Sequence, residues 1–337
     1  MILHGDSKAE RARAASVFDV AKAAGVSHQT VSRVLNDHPS LRESTRQKVL
    51  DAMKALDYRP NAAARALSSS RSRMIGIIST SSGEYGPASS VVAVEAAARS
   101  RGYSVTIANA DGLDRSSIDE AVNHLANLSA EGLVVVAPQT QVLSALSELT
   151  LRIPFVTLQT RGGEGAGHAS PDQVVGARLA ASHLVALGHR RIGHISGPDD
   201  WLDAEQRLAG FREELDDHGL DGGFVSAGDW SAASGRRAAE ELIAQGVTAI
   251  FAGNDQMALG ALSAAAAAGL QVPQHLSVVG FDDIPEAAYF LPALTTVRQD
   301  LAEAGRRAVA LLLGESTDSP TVLPELIIRS STSAAPA

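Results

Sequence analysis

From Met74 onward the sequence alternates short apolar runs with segments of helical periodicity, and this alternation restricts the fold more than any other feature. The strand-length runs lie at 75–78, 105–108, 133–137 and 155–158, and then at 192–196, 224–226, 249–252 and 277–280. Helical segments separate them at 89–101, 116–130 and 142–149, and then at 173–187, 204–218, 235–245 and 256–268. A helix at 301–313 and a strand at 326–329 remain after the second series and are expected to cross back and complete the lobes. Such an order predicts parallel strands joined by crossover helices. Two series predict two sheets, and therefore an α/β body of two lobes.

A different pattern precedes this body, in which two short helices are joined by a tight turn. Ser16 and Asp19 can form a capping box, Gly25 suits a left-handed turn, and Ser27 can cap the second helix. The inner faces carry Val20, Ala21 and Ala24 on the first helix and Val31, Val34 and Leu35 on the second. A third helix near 43–56 presents Val49, Leu50, Met53 and Leu56, which are expected to cover the other two. This arrangement predicts an all-α helix-turn-helix domain.

The outer face of the second helix consists of short and medium hydrogen-bonding side chains, a composition that suits contacts with base edges in a major groove. These residues are His28, Gln29, Thr30, Ser32, Arg33 and Asn36. Although the chain has a net charge of −9, residues 1–73 contain 13 Lys and Arg against 7 Asp and Glu. The basic end is therefore the end that carries the helix-turn-helix, as phosphate binding requires.

The segment after the third helix combines a helix breaker with linker composition. Pro60 prevents continuation of the helix, Asn61 can cap a new short helix, and a serine and arginine run follows. An isolated helix of this length is marginal in water, so it is expected to form only against DNA or a second subunit.

The domain boundaries expected from these patterns are as follows. Residues 1–15 form a disordered arm, 16–60 a helix-turn-helix domain, 61–73 a hinge helix and linker, and 74–337 an effector-binding and dimerisation body. Within the body, the N-terminal lobe comprises about 74–171 and 301–325, and the C-terminal lobe about 172–298 and 326–333.

Several function classes find no support in the sequence. There is no cysteine, the first 15 residues lack the apolar core of a signal peptide, and no apolar run approaches the ~20 residues of a membrane helix. No nucleophile–base pair, metal cluster or phosphate-cradling motif is present, and the glycine-rich stretch 162–167 is expected to be a flexible loop. We therefore expect a soluble cytoplasmic protein that is not an enzyme and has no cofactor or metal.

The motifs in chain order resemble those of the lactose/galactose repressor family. The helix-turn-helix domain at 16–60, here called the headpiece, matches the pattern D-V-A-x-x-A-G-V-S-x-x-T-V-S-R-V-L-N at 19–36. It is followed by Y-R-P-N-A-A-A-R-x-L at 58–67. Matching body segments are L-G-H-R-R-I at 187–192, R-L-A-G-F at 207–211, G-D-W-S at 228–231, N-D-Q-M-A-L-G at 254–260, S-V-V-G-F-D-D at 277–283 and L-T-T-V-R-Q-D at 294–300. The resemblance covers about residues 16–329 and implies a two-lobed body like that of periplasmic binding proteins.

For the headpiece, the resemblance implies a role for each matching residue. His28, Gln29 and Arg33 match positions that read bases, whereas Ser27, Thr30, Ser32 and Asn36 match positions that hold phosphates. Leu67 matches a hinge leucine that wedges into the minor groove, with Ala64 as its small neighbour, and Asn61 at the start of the same short helix is also expected to contact DNA. A homodimer on palindromic double-stranded operator DNA follows from this arrangement.

For the body, the resemblance implies a small-molecule effector between the lobes. Its polar positions match Arg207, Asn254, Asp282 and Gln299, and its wall positions match Thr80, Pro87 and Trp230. Trp201 is a further candidate because it follows a strand in a loop, although either tryptophan could instead be a core residue. Gln159 is also expected to line the effector site, although it and Val136 depart from a member of the family that has an aspartate and an asparagine at these positions. A leucine-heptad helix is also missing from the end of the sequence, so a dimer is expected.

These observations together predict a repressor of carbohydrate-utilisation genes that is controlled by a small sugar or glycoside. Co-repression by a purine-like ligand is the alternative within the same class. A sugar-binding receptor without a transcriptional role is the alternative from another class, and the basic headpiece argues against it.

Overall fold

The computed structural model describes residues 15–35, 41–58, 71–80, 83–110, 114–148, 153–158, 167–315 and 321–336. The chain divides into two compact units, Met1–Arg73 and Met74–Ala337.

The first unit contains three helices, α1 (Val17–Ala24), α2 (His28–Leu35) and α3 (Glu43–Ala55). The predicted capping box is confirmed, because the Ser16 hydroxyl accepts from the backbone N–H of Asp19 and the Asp19 carboxylate accepts from that of Ser16. Gly25 ends α1 in the left-handed conformation with φ 64°, which few side chains tolerate. The Ser27 hydroxyl accepts from the backbone N–H of Thr30 at 3.1 Å and so caps α2.

The core of this unit differs from the prediction on α3. The buried residues are Val20, Ala21, Val31, Val34, Val49 and Ala52. Leu50 and Leu56 are 44% and 37% exposed, so the expectation that they cover the other two helices is wrong. Leu50 lies one position from Val49, a rotation of about 100° away from the inner face, and Leu56 follows the last helical residue. Ala52 takes the inner position instead.

The second unit contains two six-stranded sheets, as the alternation predicts. The first has the order β11-β5-β4-β3-β1-β2, and all of its strands are parallel. Its strands are β1 (Met74–Ser79), β2 (Ser104–Asn109), β3 (Gly132–Val136), β4 (Phe155–Leu158), β5 (Gly167–Pro171) and β11 (Thr321–Val322). Its helices are α4 (Tyr85–Ser100), α5 (Arg115–Asn127), α6 (Thr140–Glu148) and α11 (Leu301–Leu312). We call this sheet with its helices the N-lobe.

The second sheet has the order β12-β10-β9-β8-β6-β7, and only β12 runs antiparallel to its neighbour. Its strands are β6 (Ile192–Ser196), β7 (Phe224–Ala227), β8 (Ala249–Ala252), β9 (Ser277–Asp282), β10 (Thr295–Arg298) and β12 (Glu325–Ile327). Its helices are α7 (Gln173–Ala186), α8 (Leu202–Asp217), α9 (Ala232–Ala244) and α10 (Asp255–Ala267), with a short 3₁₀ helix at Pro285–Tyr289. We call this sheet with its helices the C-lobe.

The end of the chain crosses back between the lobes, as predicted, because α11 packs on α4 and β12 joins the C-lobe sheet. Three sheet strands were not predicted as strands: β5, β10 and β11. The strand β5 has the sequence GHASP, which contains no apolar run, and it begins at Gly167, the last residue of the stretch expected to be a loop. Residues 162–166 of that stretch lie outside the described residues.

Helices α9 and α10 approach each other closely through two glycines. A Cβ on Gly260 would overlap the backbone of Ala232 and Arg236, and one on Gly235 would overlap the backbone of Met257. No flexible side chain could move aside at either position. The contact therefore depends on the absence of a side chain.

Replacing Gly260 by Ala is expected to lower the free energy of unfolding by about 3 kcal/mol, because the backbones of α9 and α10 must separate. Urea unfolding followed by circular dichroism measures the change. Gly222→Ala is the matched control, since its Cβ would meet only Arg212 Cγ at 3.9 Å. Equal stability of the two variants would contradict the close packing.

Candidate functional site

The face of α2 that is predicted to read DNA is exposed to solvent. His28, Gln29 and Arg33 are exposed, and so is Ser27, while Thr30 and Ser32 are half-buried. The ring of Phe18 on α1 is 68% exposed and lies 5.4 Å from the ring of His28. The hydroxyls of Ser27 and Thr30 are 2.9 Å apart. Of the predicted DNA-contacting residues, Asn36, Asn61, Ala64 and Leu67 lie outside the described residues, so their roles stay predictions.

Within the second unit, the predicted effector residues of the C-lobe follow the carboxyl ends of neighbouring parallel strands. Asn254 follows β8, Asp282 ends β9, Gln299 follows β10 and Trp230 follows β7. Ligands of open α/β sheets bind at this edge of the strands. The fold therefore brings together residues that are far apart in the sequence.

Arg207 is the centre of this group. The residue is 4% exposed; its Nη2 lies 3.6 Å from Asp282 Oδ1, and its Nε donates to Gln173 Oε1 at 2.9 Å. It also donates from Nη1 to the carbonyl of Gly253. The Arg207 Cζ lies 3.8 Å from the ring centroid of Phe281 and 5.5 Å from that of Trp230. The guanidinium is thus fixed by both polar and aromatic contacts.

Successive hydrogen bonds connect the other polar side chains of this group. Gln173 Nε2 donates to Gln299 Oε1 at 2.8 Å, and Gln299 Nε2 donates to Asp282 Oδ1 at 2.7 Å. Burial raises the pKa of Asp282 to about 6, although Arg207 and the hydrogen bond from Gln299 act in the opposite direction. Asp282 also has φ 107°, a strained backbone for a residue with a side chain. Strain and a perturbed pKa at one carboxyl are common at binding sites.

Trp230 and Trp201 form an aromatic pair beside this polar group. Their ring centroids are 5.4 Å apart at 64°, and Trp230 is 4% exposed with φ 69°. Asn254 holds the loop by donating to the Trp230 carbonyl at 3.0 Å while capping α10. Trp230 also belongs to the C-lobe core, so it has a packing role. Its Nε1 nevertheless has no hydrogen-bond partner in the described part of the chain.

The N-lobe faces this group with its own strand ends. Thr80, which follows β1, is buried and donates to Gln139 Oε1 at 3.2 Å, and Pro87 is buried in the first turns of α4. Tyr85 packs on the C-lobe core. Burial first, and then the charges of Asp282 and Asp229, raise the pKa of Glu84. The start of α4 therefore lies against the C-lobe.

The lobes also touch through backbone hydrogen bonds. Leu202 N–H donates to the Pro138 carbonyl at 3.0 Å, and Thr140 N–H donates to the Asp200 carbonyl at 2.9 Å. These bonds place Trp201 at the meeting point of the lobes. Val136 is buried in β3, and Gln159 lies outside the described residues.

Sequence reasoning missed three buried polar residues of this site: Gln139, Gln173 and Asp203. Gln173 links Arg207 to Gln299 and begins α7. A buried glutamine at a helix start leaves no periodic pattern, so only the contacts identify it. Asp203 lies in the first turn of α8, where an acidic residue is ordinary.

Other kinds of site are not found in the part of the chain that the structure describes. There, no three His, Asp or Glu side chains are grouped so that they could hold a metal ion. No helix of that part is both long and apolar enough to span a membrane.

Both units of the chain are similar to known protein families. Residues 16–61 match the family model of bacterial regulatory proteins of the lacI family, and residues 181–332 match that of a periplasmic binding protein-like domain. The lactose operon repressor of Escherichia coli is 34% identical over 328 residues, which cover 95% of this chain and 91% of that protein. The transcriptional repressor PurR of Escherichia coli is 35% identical over 339 residues, which cover 96% and 98%.

Solved structures of transcriptional regulators are also similar to this chain. A lac repressor dimer bound to operator and the anti-inducer ONPF has a TM-score of 0.82 and 32% identity, covering 95% of this chain and 99% of that one. The complex of the transcriptional regulator CelR with cellobiose has a TM-score of 0.65 and 30% identity, covering 94% and 99%. With identity above 30% over nearly the whole length of repressors, a matching headpiece and a matching two-sheet body, the chain belongs to the lacI family of bacterial regulatory proteins.

Proposed function

We propose that this protein is a transcriptional repressor of carbohydrate-utilisation genes, which binds a palindromic operator as a dimer and responds to a small sugar-like effector between its lobes. The observation that carries the proposal is the buried set of Arg207, Asp282 and Gln299 beside Trp230, on the same chain as an exposed recognition helix.

The chemistry of the body supports a sugar. A carboxylate, a guanidinium and amides can bind vicinal hydroxyls, and an indole face can cover the apolar side of a sugar ring. Related structures contain cellobiose or ONPG. The paired tryptophans would also suit a flat nucleobase, so co-repression by a purine-like ligand is the second candidate.

The headpiece supports operator binding. Its exposed face offers Gln29 and His28 to base edges and Arg33 to bases or phosphates, on the basic end of the chain. We further propose that residues 61–73 form the hinge, that Leu67 wedges into the minor groove, and that the protein acts in the cytoplasm, where bacterial DNA lies. Effector and operator affinities would then be linked reciprocally through a change in the arrangement of the lobes.

A thermal-shift screen of the purified full-length protein tests the effector. Cellobiose, glucose, galactose and ONPG form the sugar arm, and adenine, guanine and hypoxanthine form the nucleobase arm. A rise in melting temperature with a sugar supports the proposal. A rise only with nucleobases replaces it by the second candidate. A gel shift with an operator selected from random-sequence DNA then shows whether the bound compound releases the DNA or strengthens its binding.

Replacing Gln29 by Ala is expected to weaken binding to that operator by about 10-fold to 100-fold, since a bidentate contact with a base contributes about 1–3 kcal/mol. The melting temperature should not change, because Gln29 is exposed. Gln47→Ala is the matched control, as Gln47 is exposed on α3 and donates from Nε2 to Asp51 Oδ1 at 2.8 Å on its own helix. Full affinity in the Gln29 variant would remove this residue from the recognition face.

A further inference from the structure

Two main-chain hydrogen bonds join the lobes at a point where each lobe contributes the start of a helix. The N–H of Thr140, the first residue of α6 in the N-lobe, donates to the Asp200 carbonyl at 2.9 Å. The N–H of Leu202, the first residue of α8 in the C-lobe, donates to the Pro138 carbonyl at 3.0 Å. We call these two bonds the clasp.

The amides of the clasp are ones that a helix cannot satisfy by itself. The first N–H groups of an α-helix have no acceptor one turn back, so they need a partner outside the helix. Here the partner of each first amide is a carbonyl of the opposite lobe. Separation of the lobes would break both bonds and return their donors and acceptors to water. The clasp therefore favours the arrangement in which the lobes are in contact.

Each side of the clasp is fixed within its own lobe. Gln139 is 4% exposed, and its Oε1 accepts from the Thr80 hydroxyl at 3.2 Å. Trp201 packs against the C-lobe core and lies edge-on to Trp230. Between the two bonds of the clasp, Gln139 and Trp201 pair as an isolated antiparallel bridge. Because both loops are held in this way, the lobes can separate here only if the clasp breaks.

The clasp lies far from the crossovers that join the lobes covalently. The chain passes between the lobes after β5, β10 and β11, which lie at or next to one edge of their sheets. The clasp follows β3 and β6 instead. In the C-lobe sheet, β6 is three strands from β10, or about 14 Å at the usual strand spacing. The strands between them are β9 and β8, which carry Asp282 and Asn254 at their ends, so the candidate effector residues lie between the clasp and the crossovers.

We propose that the clasp is a gate on the effector site, which opens for the effector to enter or leave and closes again over the bound molecule. The proposal rests on the proposed function and adds to it the step that sets how fast the effector exchanges. A contact that is made in both the free and the bound protein slows association and dissociation alike. The clasp therefore controls the rates of exchange and not the affinity.

Proline at the first position of a helix removes the amide of that position and little else. It is tolerated there because its fixed φ suits the helix. The residue before it has to be extended, as Trp201 is, with φ −107° and ψ 119°. Thr140→Pro removes one bond of the clasp from the N-lobe, and Leu202→Pro removes the other from the C-lobe. Thr140→Ala and Leu202→Ala are the matched controls, because they keep the amides.

Hydrogen–deuterium exchange of the full-length protein without ligand measures the opening of the clasp. Each proline variant keeps the other amide as a probe, the Leu202 N–H in Thr140→Pro and the Thr140 N–H in Leu202→Pro. We expect the remaining amide to exchange about 5-fold faster than in the wild type, since one hydrogen bond of the pair has been lost, and at the wild-type rate in the alanine controls. Exchange at the wild-type rate in both proline variants overturns the clasp without reference to any effector.

Stopped-flow tryptophan fluorescence measures the exchange of the effector, because the two tryptophans of the chain, Trp201 and Trp230, lie beside the clasp. The ligand is whichever of cellobiose, glucose, galactose and ONPG raises the melting temperature of the wild type. In each proline variant we expect the association and dissociation rate constants both to rise about 5-fold, with Kd within about 2-fold of the wild-type value.

The outcomes separate the gate from the proposed function. Unchanged rate constants, or a change in Kd without a change in the association rate constant, overturn the gate and leave the proposed function standing. A wild type that binds none of the four sugars overturns the sugar effector and the gate with it, whereas the amide exchange still decides whether the clasp holds the lobes together.

Discussion

Arg207→Met is expected to abolish the effector response and to lower the free energy of unfolding of the body by about 3–5 kcal/mol, since it leaves a buried charge without its partner. The guanidinium holds Gln173, the Gly253 carbonyl and Asp282 at once. Methionine keeps much of the apolar contact with Phe281 but supplies no donor. Isothermal titration with the sugar found by screening measures the first effect, and urea unfolding measures the second.

Arg212→Met is the matched control for this substitution. Arg212 lies on the same helix, but it is exposed, so its replacement should change stability by less than about 0.5 kcal/mol.

The loss of stability in the Arg207 variant should be smaller at pH 5 than at pH 8. The nearby carboxyls are protonated at the lower pH, so they carry no charge that needs the guanidinium. Retention of full effector affinity by the Arg207 variant would contradict the assignment of Arg207 and its neighbours to the effector site.

The parts of the fold that local chemistry governs could be predicted from the sequence. Ser16, Gly25 and Ser27 act on backbone groups within a few residues of themselves, so their roles at the ends of α1 and α2 are visible in the sequence. The strand–helix alternation likewise requires only local periodicity and the crossover rule. Leu50 shows the limit of this reasoning, because helical spacing alone did not say which of two adjacent apolar residues faces inward.

The candidate effector site shows where prediction from sequence stops. Asn254, Asp282 and Gln299 could be predicted because they lie within motifs that resemble a known family. Gln173 and Asp203 lie outside those motifs, and their burial results from packing between α7, α8 and the C-lobe sheet. In the sequence, Asp203 and Glu205 look alike as acidic residues of one helical turn, and only tertiary structure separates the buried one from the exposed one.

The stability gained by Asp203→Asn is expected to increase with pH, independently of any ligand. The folded-state pKa of Asp203 is about 7, raised from 3.8 chiefly by burial and also by Asp282, with Arg207 opposing. Between these two values the folded protein keeps a proton that the unfolded chain has lost, so wild-type stability falls as pH rises towards 7.

Asparagine removes this titration. The difference in free energy of unfolding between the variant and the wild type can therefore increase by at most about 4 kcal/mol from pH 4 to pH 8, at 1.36 kcal/mol per pKa unit. The measurement is the difference in free energy of unfolding between the variant and the wild type at pH 5, 6, 7 and 8. Taking the difference removes the opposing contribution of the buried histidines, such as His194, whose pKa burial lowers to about 4. Glu205→Gln should give a difference that does not change across this range, because Glu205 is exposed. A flat difference for Asp203→Asn as well would mean that the carboxyl is hydrated or paired in solution, and burial would not raise its pKa.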